Sequence, residues 1–511
     1  MSINVKPFVK ENVVLLALAA VKLSVHFWVN LHDQIFRDEF YYIACGNHLD
    51  FGYVDHPPFV ALMAAITHRL LGDSLFALRL FPAVAGAGIV VLTGLLAGEL
   101  GGNRFAKGLA ALSVLVVPNY LGIHGFFSMN VFDHLFWLLA IFLMVRIVKT
   151  DSPRCWILLG MVLGIGLMNK ISVLFLGFGL FIGILLTPNR KWFLKKWIWI
   201  SAGIAFLIFL PHILWQIAYG WPTLEFIGNA QKYKNISLSP LQFLSTQILD
   251  MHPFLFPLWA AGLGWLFFAE KGKPYRLFGW TYPAIFFLLV AQQGKPYYLA
   301  PIYTILFAAG AVVVESFIRN RQWVWLKLAL CTLLVVGGLI SAPFALPILS
   351  VKNYIAYSNT LGVKPSAGER HELGALPQFF ADRYGWKEMV ETVAKVYNAL
   401  SKEEQSRCAI FTGNYGEASA IDYYGKKYGL PKAVSGHNSY FLWGPGNNTG
   451  NIVIVVGNKR EDAEKVFDDV REAARIYNEY AMPFENNIPV LLCRKPHITL
   501  QEAWPKVKHY S

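Results

Sequence analysis

The chain has 511 residues, of which 55% are hydrophobic, including 16 Trp and 38 Phe. Its apolar runs are too long and too numerous for a soluble core, so a polytopic membrane protein is the starting point. The net charge of +13 is uneven: residues 1–350 carry +11 and residues 351–511 only +2. The basic excess thus belongs to the membrane part, where it reports topology and anionic lipid. Nucleic-acid binding is a poor reading, because no basic patch is interleaved with stacking aromatics on a polar domain.

Apolar runs predict about eleven transmembrane helices, over 11–31, 76–98, 106–124, 130–148, 155–169, 171–187, 197–216, 253–269, 277–292, 297–318 and 325–347. The first continues past signal-peptide length without a small-residue cleavage site and reads as a retained anchor. Between the first two spans lies RDEFYYIACGNHLDFGYVDHPP, from Arg37 to Pro58. Asp33, Asp38, Glu39, Asp50, Asp55 and Asp73 in this loop are six of only fourteen acids in residues 1–350. Acids gathered at a membrane surface are costly to desolvate, which points to a site.

Seventeen of the 25 Lys and Arg of residues 1–350 fall in one set of loops: Lys6, Lys10, Arg104, Lys107, Arg146, Lys149, Arg154, Arg190, Lys191, Lys195, Lys196, Lys271, Lys273, Arg276, Arg319, Arg321 and Lys327. That side is cytoplasmic. An odd number of spans then places the first loop, 32–75, and the C-terminal region, 350–511, together on the outer face. Arg37, Arg69, Arg79, Lys170, Lys232, Lys234 and Lys295 break the charge rule by falling at that outer edge. Acids facing several stray cations suit a lipid phosphate beside a general base, although a lysine can also snorkel to the interface.

The C-terminal region reads as a soluble α/β domain. Strands are predicted in CAIFTGN, NIVIVVGN and IPVLLCRK, with helices in EASAIDYYGKKYG and KREDAEKVFDDVREAARIY, implying a small parallel sheet. GNYGE after the first strand is neither a dinucleotide fingerprint nor a P-loop, so no nucleotide is assigned. The aromatic loop 435–450 can touch substrate or pack the domain. The five cysteines show no metal-type spacing, and Cys408 and Cys493 read as buried thiols, with a disulfide between them the lesser alternative.

RDEFYY, YVDHPPF, FALRLFPAV, GLMNK and GKPYYLAPIY, in this order, resemble glycosyltransferase family 39, the protein mannosyltransferase and aminoarabinose transferase group with the GT-C fold. The resemblance covers about residues 10 to 315. It implies a GT-C transmembrane catalytic domain over 1–349 and an outer, periplasmic domain over 350–511, in the bacterial inner membrane. It also implies inverting transfer of one sugar from a polyprenyl-phosphate donor to a lipid, protein or glycan acceptor. Carried over residue by residue, Asp38 matches the general base and Glu39 its neighbour. Arg79, Lys170, Lys295 and His56 fall at the donor phosphate, with Tyr297 and Tyr298 at the substrate. Asp55 matches a position that holds a divalent metal ion in some members; no other cofactor is implied. His56 stands where some relatives carry lysine. Asn130 and Asp133 compete for an expected acidic position in SMNVFDHLFW, and His252 aligns poorly with a later metal-binding histidine. A transporter or lipid flippase is the competing class, supported by Lys22 inside the first span, although no internal repeat is visible.

Overall fold

The computed structural model describes residues 9–511; Lys6 lies outside the described residues. Two compact units are present. The first comprises Met1–Asp33, Asp73–Leu214 and Ser237–Ser350; the second comprises Gln34–Gly72, Trp215–Ile236 and Val351–Ser511. The first loop is therefore folded together with the C-terminal region.

The first unit is helical throughout. All eleven expected spans fall on helix, but they are not eleven uniform rods. Among the described residues, six helices are long and apolar enough to cross a membrane, or up to eight spans if each of two bent pairs counts as one. Those six are Val13–Asn30, Leu75–Glu99, Met129–Thr150, Lys196–Ala218, Pro296–Arg321 and Trp325–Ala345. Proline accounts for much of the shortening elsewhere. The expected 106–124 span divides into Arg104–Val116 and Pro118–Ile123. Val117 is extended there because a residue preceding proline is driven out of the helical region. The bent pairs, Val173–Leu185 with Pro188–Leu194 and Pro240–Asp250 with Pro253–Phe268, turn by 109° and 100°, each just before a proline that opens the next segment.

Small residues let helices approach closely without a hydrophobic gradient to press them together. Helix Phe256–Phe268 meets helix Tyr303–Arg321 at Gly262 and Gly310. A Cβ at Gly262 would run into the Leu306 carbonyl, and one at Gly310 into that of Leu258. Lys22 is fully buried and donates to the Tyr120 carbonyl oxygen at 3.2 Å.

The second unit holds a five-stranded sheet: β1 (Cys408–Thr412), β2 (Ala433–Ser435), β3 (Ile452–Val456), β4 (Phe467–Ile476) and β5 (Ile488–Pro496), in the order β2-β1-β3-β5-β4. β1 pairs in parallel with β2 and β3, whereas β5 runs antiparallel to β3 and β4. The expected parallel sheet is thus mixed. The long helix expected over KREDAEKVFDDVREAARIY is replaced by a short turn of helix, Arg460–Ala463, followed by β4. Its composition favours helix, but pairing along β5 from Phe467↔Pro496 to Ile476↔Ile488 overrides that preference. The charges of Arg471, Glu472 and Arg475 then guard an edge strand against further pairing. Ala409, Val453, Val455, Leu491 and Cys493 form one core of this sheet. All five cysteines are free thiols.

Candidate active site

The acidic pair sits at the start of helix Arg37–Asn47, which follows an extended Phe36. Successive helical side chains diverge by about 100°, and the two acids consequently take different surroundings. Glu39 turns inward and is fully buried, where its Oε2 accepts from the Phe36 backbone N–H at 2.7 Å. That bond caps the helix. Asp38 remains half-buried, and its Oδ1 accepts from the Tyr415 hydroxyl at 2.8 Å.

Asp38 belongs to a dense charged cluster in the second unit. Arg37 is buried, with its guanidinium 4.7 Å from the Tyr415 ring centroid and 5.5 Å from that of Phe484. Its backbone N–H donates to the Asp382 carbonyl at 3.0 Å. Burial opposes the Arg37 charge, but Tyr415, Glu485, Asp382 and Asp38 more than restore it. Burial also raises the Asp38 carboxyl above its ordinary range, with Asp55 and Glu369 pushing the same way; Arg37 and the Tyr415 hydrogen bond pull it down. Asp382 is pushed up to about 7, chiefly by burial and against the pull of Arg37.

Behind them, Glu417 and Glu485 form a buried carboxyl pair. Glu417 Oε2 accepts from the N–H groups of Gly413 and Asn414 at 2.8 and 3.3 Å, while the Asn414 side chain donates to Glu485 at 2.9 Å. Burial raises both carboxyls, and Glu485 raises Glu417 further. Gly457, at φ +78°, leaves room for it: a Cβ there would strike the Glu417 carboxylate.

Asp55 and His56 are placed by tyrosines. Tyr41 donates to Asp55 Oδ1 at 2.9 Å and lies 2.7 Å from the Ser439 hydroxyl, which accepts from Val54 N at 3.2 Å. His56 is fully buried, stacked on Tyr53 with ring centroids 4.7 Å apart and edge-on to Tyr41 and Tyr42. Its Nδ1 is 2.8 Å from the Pro57 carbonyl, and Nε2 has no hydrogen-bond partner among the described residues. Trp443 stacks on His48 at 4.2 Å. Loop 435–450 therefore packs the first loop through Ser439 and Trp443. Among the described residues, no group of three His, Cys, Asp or Glu is arranged to hold a metal ion, and Asp55 accepts from Tyr41 through Oδ1.

The expected phosphate ligands other than His56 lie in the first unit. Arg79 is buried and donates to Asp33 Oδ2 at 2.6 Å, so it already has a carboxylate partner. Lys170 is buried with Nζ 2.7 Å from Asn130 Oδ1 and 3.9 Å from Asp133 Oδ2. It lies over the rings of Tyr298 and Tyr297, at 4.4 and 5.2 Å. Both competitors for the acidic position thus surround Lys170: Asn130 by direct hydrogen bond, Asp133 through charge while accepting from the Ser172 hydroxyl at 2.8 Å. Lys295 is half-buried at the N-terminus of the 3-10 segment Pro296–Ile302, which carries both tyrosines. His252 packs against Gly337 and Phe254 in this same unit.

Tyr415, Asp382, Glu417 and Glu485 were not singled out by sequence reasoning. GNYGE drew attention only as a nucleotide motif, and its tyrosine lies 377 positions from Asp38. No local pattern announces so distant a contact.

The dolichyl-phosphate-mannose-protein mannosyltransferase family matches residues 55–215. The lipid A galacturonosyltransferase RgtD of Rhizobium johnstonii is 24% identical over 234 residues, 44% of this chain and 49% of that protein, so the match spans about half the relative's length. The crystal structure of ArnT from Cupriavidus metallidurans bound to undecaprenyl phosphate superposes with a TM-score of 0.59 at 14% identity. The alignment covers 95% of this chain and 98% of that one. Its apo form gives the same score and identity over 93% and 97%. The chain is a multi-pass membrane protein with the GT-C fold, similar to glycosyltransferase family 39.

Proposed function

We propose that this protein transfers a single sugar, with inversion, from a polyprenyl-phosphate donor to a lipid, protein or glycan acceptor at the outer face of the bacterial inner membrane. The observation that carries the reading is the division of labour at the helix start: Glu39 is sealed as a cap, whereas Asp38 stays half-buried. The family match and the names of the similar proteins point to the same chemistry.

In this reading the acceptor hydroxyl or amine attacks the anomeric carbon, a C–O bond to the donor phosphate breaks, and the acceptor proton passes to Asp38. The departing polyprenyl phosphate gains negative charge, for which Lys170 and Lys295 supply compensation, with Tyr297 and Tyr298 beside them at the substrate. Arg79, neutralised by Asp33, supports the local structure. Asp55 fixes Tyr41, and His56 packs among tyrosines. Residues 350–511 lie on the outer side with the first loop, and no nucleotide sugar is needed there.

The fate of a donor labelled in both sugar and lipid tests the proposal in proteoliposomes. Transfer separates the two labels and leaves polyprenyl phosphate behind. Movement of both labels between leaflets as one molecule would instead make the protein a flippase, the reading that the buried Lys22 first suggested.

A further inference from the structure

The first unit contains an open pocket of about 850 Å³. It lies where the start of helix Arg104–Val116 meets the end of helix Tyr303–Arg321 and the start of helix Trp325–Ala345. Arg104, Arg319 and Lys327 line it together with Asn103, Glu315 and Gln322. The three cations and one carboxylate leave two net positive charges. Both oxygens of Glu315 are engaged by backbone: they accept from the N–H groups of Asn103 and Ala106, at 2.7 and 3.1 Å, and close the helix start. Lys327 lies 5.2 Å from the Phe105 ring centroid. Among the described residues, neither Arg104, Arg319 nor Lys327 has an ion-pair partner.

We infer that this pocket binds the phosphate headgroup of an anionic phospholipid. Three convergent cations around a concave space are the chemistry of phosphodiester capture, and arginine offers a planar fork to phosphate oxygens. The cavity far exceeds an inorganic phosphate. It also opens beside the exposed Trp323, Val324 and Trp325, which suit the depth at which tryptophan lies among headgroups and acyl chains. Basic pockets between transmembrane helices on the positively charged side capture anionic headgroups by this arrangement. Arg104, Arg319 and Lys327 belong to the loops that carry most of the lysines and arginines of residues 1–350, so the lipid belongs to the leaflet on that positively charged side.

The test uses the full chain in phosphatidylcholine nanodiscs containing a minority of phosphatidylglycerol, with bound lipid counted by native mass spectrometry. Phosphatidylglycerol should be retained selectively at one saturable site. Arg104→Gln, Arg319→Gln and Lys327→Gln should each weaken retention about fivefold. Arg319→Lys should retain most binding, and Arg190→Gln in a different basic loop should leave it unchanged. Equal weakening by Arg190→Gln would reduce the effect to diffuse surface charge. Displacement of the lipid by inorganic phosphate at matched concentration would make this a free-anion site. Absence of preference for phosphatidylglycerol in the unsubstituted protein would overturn the inference regardless of how any variant folds.

Discussion

At the scale of single residues, the Tyr415 hydroxyl is the most informative contact, because it reaches the proposed base from the C-terminal region. A hydrogen bond to a carboxylate favours the ionised form, so removing it raises the carboxyl's pKa. Tyr415→Phe keeps the ring against Arg37 and removes only this bond. Turnover should fall roughly tenfold at neutral pH, and the acid limb of the pH–rate profile should move to higher pH. Arg37, Asp55, Glu369 and Asp382 also bear on Asp38 and are unchanged in this variant. A lower thermal stability with an unmoved acid limb would assign Tyr415 to packing alone.

Arg79 and Asp33 make the opposite case, a buried ion pair in which each partner depends on the other. Arg79→Met leaves Asp33 without its counter-charge and should cost about 3–5 kcal/mol of stability; adding Asp33→Asn should recover much of it. Thermal unfolding in detergent measures both. If Arg79→Met instead unfolds normally and loses donor affinity, the phosphate role expected from the sequence is the correct one. The sequence identified Asp38, Asp55, Lys170 and Arg79 as special because charges are scarce among apolar spans. It did not show that Glu39 caps the helix or that Arg79 pairs with Asp33, since those contacts depend on which way each side chain faces.

At the scale of elements, the spans were legible because roughly twenty apolar residues have few alternatives. Their interruptions at Pro118, Pro188 and Pro253 were partly hidden, because hydropathy alone does not register a proline that turns the chain. β4 was misread for a different reason: a helix-favouring composition yields when the neighbouring strand supplies a ladder of hydrogen bonds. The Glu417–Glu485 pair shows how the second unit responds to pH. The folded state holds these carboxyls above their ordinary range, so it retains a proton that the unfolded chain releases near pH 4.5. Stability from this pair is therefore greatest at low pH and declines as pH rises toward the elevated folded values. Glu485→Gln imitates the protonated form and removes that titration. The variant's melting temperature relative to the unsubstituted protein should be higher at pH 8 than at pH 5. A difference independent of pH would show that folding does not hold these carboxyls above their ordinary range.

At the scale of the whole molecule, every catalytic role rests on orientation. The proposed orientation, argued from the charge distribution, has the acidic loop and residues 350–511 on the outer side and Arg190 and Lys191 on the cytoplasmic side. In a background lacking the five native cysteines, Asn47→Cys and Ser366→Cys should react with a membrane-impermeant reagent in spheroplasts. Asn189→Cys should react only after lysis. Labelling of Asn47→Cys and Ser366→Cys from different faces would mean an odd number of crossings between them and would contradict this orientation.

The central claim is that Asp38 accepts the acceptor's proton while its neighbour only closes a helix. The most direct test is turnover of a polyprenyl-phosphate sugar by two variants reconstituted in parallel. Asp38→Asn cannot take up the proton and should lose roughly two to four orders of magnitude in rate. Glu39→Gln retains a carbonyl oxygen for the Phe36 N–H and should stay close to the unsubstituted rate. Near-normal turnover by Asp38→Asn, or a comparable loss in a well-folded Glu39→Gln, would contradict the account.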